Sequence, residues 1–140
     1  MSEFSAFFAQ NADTDVVEEV IVSERFKNKD GKSIPWKIRA LTESENEQLR
    51  KACTKRTKQR GGAITNETDS TEYAAKLMVT SIVYPNLKDA ELQNSYGVMG
   101  AEELLRKMLL AGEYSNLFLK VQELTGFDQD LNELVEEAKN

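Results

Sequence analysis

In its second half the chain repeats one pattern, apolar side chains three or four residues apart, broken at short intervals by glycine or proline. Leu104, Leu105, Met108 and Leu109 form one such set. Leu117, Phe118, Val121 and Leu124 form the next, and Leu131, Leu134, Val135 and Ala138 the last. Tyr73, Ala74, Leu77, Met78, Ser81 and Ile82 form an earlier one, widened by Val79 and Val83. This spacing places each set on one face of an α-helix, and a helix with one apolar face must bury it against another element. Punctuation agrees: Asp69 precedes Glu72 as a helix start, Pro85 stops continuation past Tyr84, a short helix fits residues 87–95, Gly126 closes a helix and Asp128 opens the last. A chain of 140 residues has material for one such core.

Two earlier segments carry a different period. EEVIVSERF (18–26) and IPWKIRA (34–40) are rich in β-branched and aromatic residues that suit a pleated surface. Val20, Val22 and Phe26 share one face of the first, and Ile34, Trp36 and Ile38 share one face of the second. Asp30-Gly31 in the intervening loop supports an antiparallel hairpin, and Pro35 belongs at the start or outer edge of its strand. Two strands alone are marginal, so the apolar face is expected to lie on the helices. The fold class is α+β: a mostly helical small domain with an N-terminal antiparallel β-hairpin.

Between these halves, Thr42 followed three residues later by Glu45 is a capping box that opens a charged helix. Leu49, Ala52, Cys53 and the methylene stem of Arg56 are expected to give it a narrow buried stripe. KQRGGAITNETDS (58–70) reads as a flexible polar excursion. At the amino end, Phe4, Phe7 and Phe8 sit at helical spacing in a short leader. Their rings either tuck onto their own domain or dock a partner. The chain therefore divides into a flexible or docking segment, 1–17, and a single domain, 18–140.

Composition narrows the chemistry. Without histidine the chain lacks the usual proton shuttle near neutral pH and the commonest neutral metal ligand. The lone Cys53 has no intramolecular disulfide partner and no histidine to activate it, so it reads as core packing. Glu102-Glu103 suits a helix start and Glu136-Glu137 a wet face. Asp128-Gln129-Asp130 lacks the ligand pattern of a calcium loop, and neither Gly61-Gly62 nor Gly97–Gly100 continues into a phosphate-binding motif. No catalytic residue, metal site or cofactor is expected. Nothing in the sequence reads as an export signal or a membrane span.

One charge feature stands out. Arg50, Lys51, Lys55, Arg56, Lys58 and Arg60 occur with no acid between Gln48 and Asn66, in a chain whose net charge is −6. A basic patch can neutralise phosphates, but the negative total charge and the lack of interleaved aromatics argue against nucleic acid. Helix-end solvation and electrostatic docking to an acidic protein fit better. The candidate partner-binding residues are these six together with Phe4, Phe7 and Phe8.

Residues 23–56, 83–127 and 130–140 resemble the XkdN-like tail assembly chaperone family of phages and defective prophages. The most distinctive stretches are Ile34-Pro35-Trp36, Ala52–Arg56, Tyr84–Leu87, Asp89–Gln93 and Ser95–Leu105. The resemblance implies a non-enzymatic factor that keeps the tape-measure protein soluble, supports tail-tube assembly in the bacterial host cytoplasm and is absent from the finished virion. It makes the tape-measure protein the expected partner; the tail-tube protein and a second copy of the chain are further candidates, and the sequence does not decide whether free chains self-associate through the Phe4-Phe7-Phe8 face. Apolar helical faces are the expected client surface. The competing readings are a nucleic-acid-associated regulator using the basic patch and a structural subunit that stays in the tail.

Overall fold

The computed structural model describes residues 3–12 and 16–126. The expected hairpin is present: β1 (Val17–Val20) pairs antiparallel with β2 (Trp36–Arg39), Val17 opposite Arg39 and Val20 opposite Trp36. Gly31 takes φ +78° in its connecting loop, where Asn28 Oδ1 accepts from Asp30 N and Lys32 N at 2.9 and 3.0 Å. That positive φ is open to glycine without penalty. Both strands are shorter than the sequence suggests. The chain leaves β1 after Val20 because Arg25 is drawn to the junction of two helices, where its guanidinium donates to Met108 O at 2.7 Å and Glu113 Oε1 at 2.6 Å.

Thr42 and Glu45 form the predicted capping box at the start of α1 (Glu43–Ala52). Its buried stripe differs from expectation. Cys53 is buried as expected, but Asn46 is buried too, accepting a hydrogen bond from the Tyr73 hydroxyl, while Leu49 is partly buried and Ala52 exposed. Arg56 is not on the helix at all. Cys53 caps α1, and the chain turns into β3 (Thr54–Lys58), which pairs antiparallel with β4 (Ile64–Thr68). The expected excursion is thus a two-stranded ribbon. Gly61 and Gly62, at φ +92° and +89°, form its turn, and the Thr54 and Thr68 hydroxyls meet at 2.8 Å across its base. Both faces are wet, so no apolar alternation marks it in the sequence.

Asp69 caps α2 (Ser70–Ser81) through Thr71 N and Glu72 N, as expected. The helix ends before Tyr84. At Ile82 the backbone becomes extended and forms β5 (Ile82–Tyr84), antiparallel to the other edge of β2 with Ile82 opposite Ile38. The sheet order is therefore β1-β2-β5, with β2 in the middle. Ser81, fully buried at the switch, donates its hydroxyl to Arg39 O at 2.6 Å and ties α2 to the central strand. Placing Ile82 beside β2 satisfies backbone groups that continued helix would have left open on that edge.

The rest is helical: α3 (Ala90–Ser95), α4 (Ala101–Met108) and α5 (Ala111–Thr125). Asp89 caps α3 through Leu92 N, and Gly126 ends α5 in the left-handed conformation, φ 98°. The final stripe and the Asp128 cap lie outside the described residues. Trp36 and Ile38 of the sheet, Leu77 and Met78 of α2, Leu104 and Leu105 of α4, and Leu117 and Val121 of α5 meet in one core. Each such side chain contributes about 1.5–3 kcal/mol when fully buried.

Candidate partner-binding surface

The helical stripes point inward. Leu104, Leu105, Met108, Leu117 and Val121 are buried in the protein's own core, so among the described residues the main seams of α4 and α5 that were expected to meet a client are closed. Most large apolar side chains left in water lie elsewhere, on the leader, on and flanking β1, on β4 and β5, and on the loops, with Leu119 on the outer face of α5.

The leader forms a single 3-10 turn, Glu3–Phe7, held by Asn11 Nδ2 donating to Ser5 O and by Ala12 N donating to Phe8 O, both at 2.8 Å. Its rings contact one another, Phe4 to Phe8 edge-on at 5.4 Å between centroids and Phe4 to Phe7 at 6.3 Å. They do not tuck into the core: Phe4 is 69% exposed, Phe7 78% and Phe8 45%. Aromatic edge contacts hold the cluster together but leave most of its surface wet.

Of the six basic residues, Arg50 and Lys51 end α1, Lys55, Arg56 and Lys58 lie on β3, and Arg60 sits in the ribbon's turn. All are exposed. Strand alternation divides them, because Arg56 and Lys58 share one face of the ribbon while Lys55 takes the other, opposite Glu67. Arg50 also pairs with Glu43 at 3.3 Å. The patch is thus a charged arm rather than one basic face.

Sequence reasoning missed an apolar groove of about 140 Å³ lined by Phe26, Ile34, Trp36, Tyr84, Pro85, Leu92 and Met108. It joins the hairpin loop, the end of β5, α3 and α4, and its floor is the Phe26–Trp36 pair, centroids 6.2 Å apart. The only signal in the sequence was that Trp36 and Tyr84-Pro85 both fall in the distinctive stretches. A second, more polar cavity of about 310 Å³ lies by Arg39, Thr80, Asn86 and Lys88.

Two carboxylates are strongly perturbed, and both serve the fold. The hydrogen bond from Arg39, helped by Thr42 N, holds the Glu45 carboxyl down at about 2. The Arg25 hydrogen bond does the same to Glu113, with Ser23 and Leu110 N assisting, again to about 2. Burial pushes the Cys53 thiol up, away from the reactive thiolate. Among the described residues no three His, Cys, Asp or Glu side chains cluster as a metal site, and no helix is long and apolar enough to cross a membrane.

A closed core that carries an aromatic leader, a charged ribbon and a shallow apolar groove is the build of a protein-binding domain. Comparison with known proteins agrees and is more specific. The chain belongs to the phage XkdN-like tail assembly chaperone family, TAC, whose sequence profile matches residues 4–139. It is 37% identical over 123 residues to the uncharacterized protein YqbN of Bacillus subtilis (strain 168), covering 87% of this chain and 83% of the relative. The phage-like element PBSX protein XkdN of the same strain is 32% identical over 123 residues with the same coverage. The crystal structure of the protein yqbn superimposes with a TM-score of 0.77 at 29% identity, covering 91% of this chain and 99% of that one. The chain's general role is that of this class of non-enzymatic chaperones, assembly of phage or prophage tails through protein–protein contacts.

Proposed function

We propose that this protein binds the tape-measure protein of its phage or prophage, keeps it soluble and supports growth of the tail tube around it. It does so without catalysis, in the host cytoplasm, and leaves before the virion is complete. The observation that carries this reading is the family match across residues 4–139. The client surface is then the leader rings Phe4, Phe7 and Phe8 together with the groove beside Trp36 and Tyr84, part of the apolar surface that the core leaves over. Residues 1–17 act as the docking segment and residues 18–140 as the domain that presents it. The basic arm from Arg50 to Arg60 steers acidic partners toward the complex, adding to the encounter rate more than to affinity.

Co-expression with the long, helix-rich tail protein encoded alongside it tests the reading. The client is expected to move from the insoluble to the soluble fraction and to co-purify with the chaperone, and a F4A/F7A/F8A variant is expected to lose both effects while keeping its melting temperature. A folded, well-expressed chaperone that neither solubilises the client nor forms a complex with it refutes the proposal.

A further inference from the structure

The apolar groove and the polar cavity meet at one peptide bond. Tyr84 and Pro85 line the groove, and the next three residues, Asn86, Leu87 and Lys88, line the cavity. Successive Cα atoms are about 3.8 Å apart, so a group seated in one hollow lies within about 10 Å of a group seated in the other.

The two hollows ask for different chemistry. At about 140 Å³ the groove is too small for a whole cofactor and matches the space that takes one benzene ring. Its floor is closed, Trp36 being 2% exposed, while Tyr84 on its rim is 49% exposed and has area to gain from a cover. Three aromatic rings and Met108 around it suit a phenylalanine or leucine side chain. No acid lines the cavity. Asn86 Oδ1 accepts from Lys88 N at 3.1 Å, which leaves the Asn86 amide nitrogen to donate. Lys88 is exposed and, among the described residues, makes no ion pair. Residues 25–39 and 84–92 supply every groove side chain except Met108, and they hold seven bases and three acids, +4 in a chain of net −6. Donors without acids in a positive surround fit a carboxylate.

We propose that groove and cavity together recognise an acidic, apolar segment of the client, with a phenylalanine or leucine in the groove and an aspartate or glutamate on Asn86 and Lys88. The 10 Å limit puts the two anchors within about three residues of each other in an extended segment. The inference rests on the proposed client reading and names what in the client is recognised. A free phosphate would suit the cavity and leave the groove unfilled. Residues 127–140, with five acids, one base, Leu131, Leu134 and Val135, are the competing occupant.

Short overlapping peptides covering the long tail protein encoded alongside, each labelled with fluorescein and titrated with the full chain by anisotropy, test the proposal. Binding is expected to concentrate in peptides that carry the paired anchors. In the tightest of them, exchanging the apolar anchor for alanine or the acid for its amide is expected to weaken binding about tenfold. N86A and K88E, both at exposed positions, are expected to cost as much with unchanged melting temperatures, and K88E to regain a peptide whose acid is replaced by lysine. L134D/V135D in the full chain is expected to leave peptide affinity unchanged. The proposal is overturned if no peptide binds, if the binders lack the paired anchors, if N86A and K88E bind as the wild type does, if the lysine exchange restores nothing, or if inorganic phosphate displaces the peptide outright. It is also overturned if L134D/V135D raises affinity, which would give the groove to residues 127–140. A client still solubilised on co-expression while these peptides fail overturns this inference alone, whereas a client neither solubilised nor bound overturns the proposed function as well.

Discussion

Trp36→Ala measures how far the hairpin and the helices are one structure. Trp36 is 2% exposed on the central strand, with Phe26 against its ring and Ile34 and Met108 beside it. A buried indole removes about 200 Å² from water, worth about 5 kcal/mol at ~25 cal/mol/Å². Alanine keeps part of that, and the adjoining groove lets neighbours relax and water enter, which brings the expected loss to about 3–5 kcal/mol. With a urea slope of about 2 kcal/mol/M, the midpoint falls by about 1.5–2.5 M. Trp36 is the chain's sole tryptophan, so the transition is followed by helix circular dichroism rather than fluorescence. Val83→Ala, at a half-exposed position on β5, is the control, with an expected change within about 0.5 kcal/mol. A Trp36→Ala loss below about 1 kcal/mol, or one equal to the control, would falsify the placement of this ring in the core.

Three further outcomes follow from the same contacts. Replacing Thr54–Thr68 with a short glycine-serine link should leave thermal stability within about 2 °C, because the ribbon lies outside the core and Cys53 O already bonds Asp69 N; a larger fall in scanning calorimetry means the ribbon supports the core. Cys53, fully buried and with its pKa raised by burial, should react with a thiol reagent far more slowly in the folded protein than in urea, and equal rates would contradict the burial. Glu45 and Glu113 titrate near 2 when folded instead of 4.5, so the folded state binds those protons more weakly than the unfolded chain. Their stabilisation is present above about pH 4.5 and lost as pH falls toward about 2; Glu45→Gln and Glu113→Gln should each flatten that acid slope in denaturant titrations, and an unchanged slope refutes the assignment.

What the sequence made legible was whatever local chemistry decides. Thr42 with Glu45, Asp69 and Gly126 mark helix ends because the capping groups are neighbours in the chain, and the structure places all of them as read. Trp36 and Ile38 declared their buried face through strand alternation. The errors arose where tertiary contacts override the local period. Ile82–Tyr84 continues the stripe of α2, yet the open edge of β2 turns it into a strand. Val22–Phe26 continues the strand pattern of β1, but the Arg25–Glu113 clamp, joining residues far apart in sequence, pulls it away. The ribbon was invisible for a different reason: with both faces wet, backbone pairing is its main support, and that leaves no hydrophobic signature. Among the candidate residues, the exposure of the leader rings and of the basic side chains is plain in the structure, whereas the division of the basic set between two strand faces required knowing that β3 is a strand.

The closed seams alter how an assembly chaperone of this build must work. A protein that held its client on the helical stripes would expose its own core each time the client departed, and would meet the aggregation hazard it exists to prevent. Here Leu104, Leu105, Leu117 and Val121 remain buried, so under the proposed function fold stability and partner binding are carried by different residues. On that proposal the leader rings and the charged arm change partners without opening the core. The physical consequence is additivity: substitutions at Phe7 or Arg56 and substitutions at Leu105 act on distant sites with no shared contacts, so their effects on stability should sum within about 0.5 kcal/mol. A coupling larger than that, measured in a double-mutant cycle, means the exposed elements are braced by the core and the two tasks are not separate.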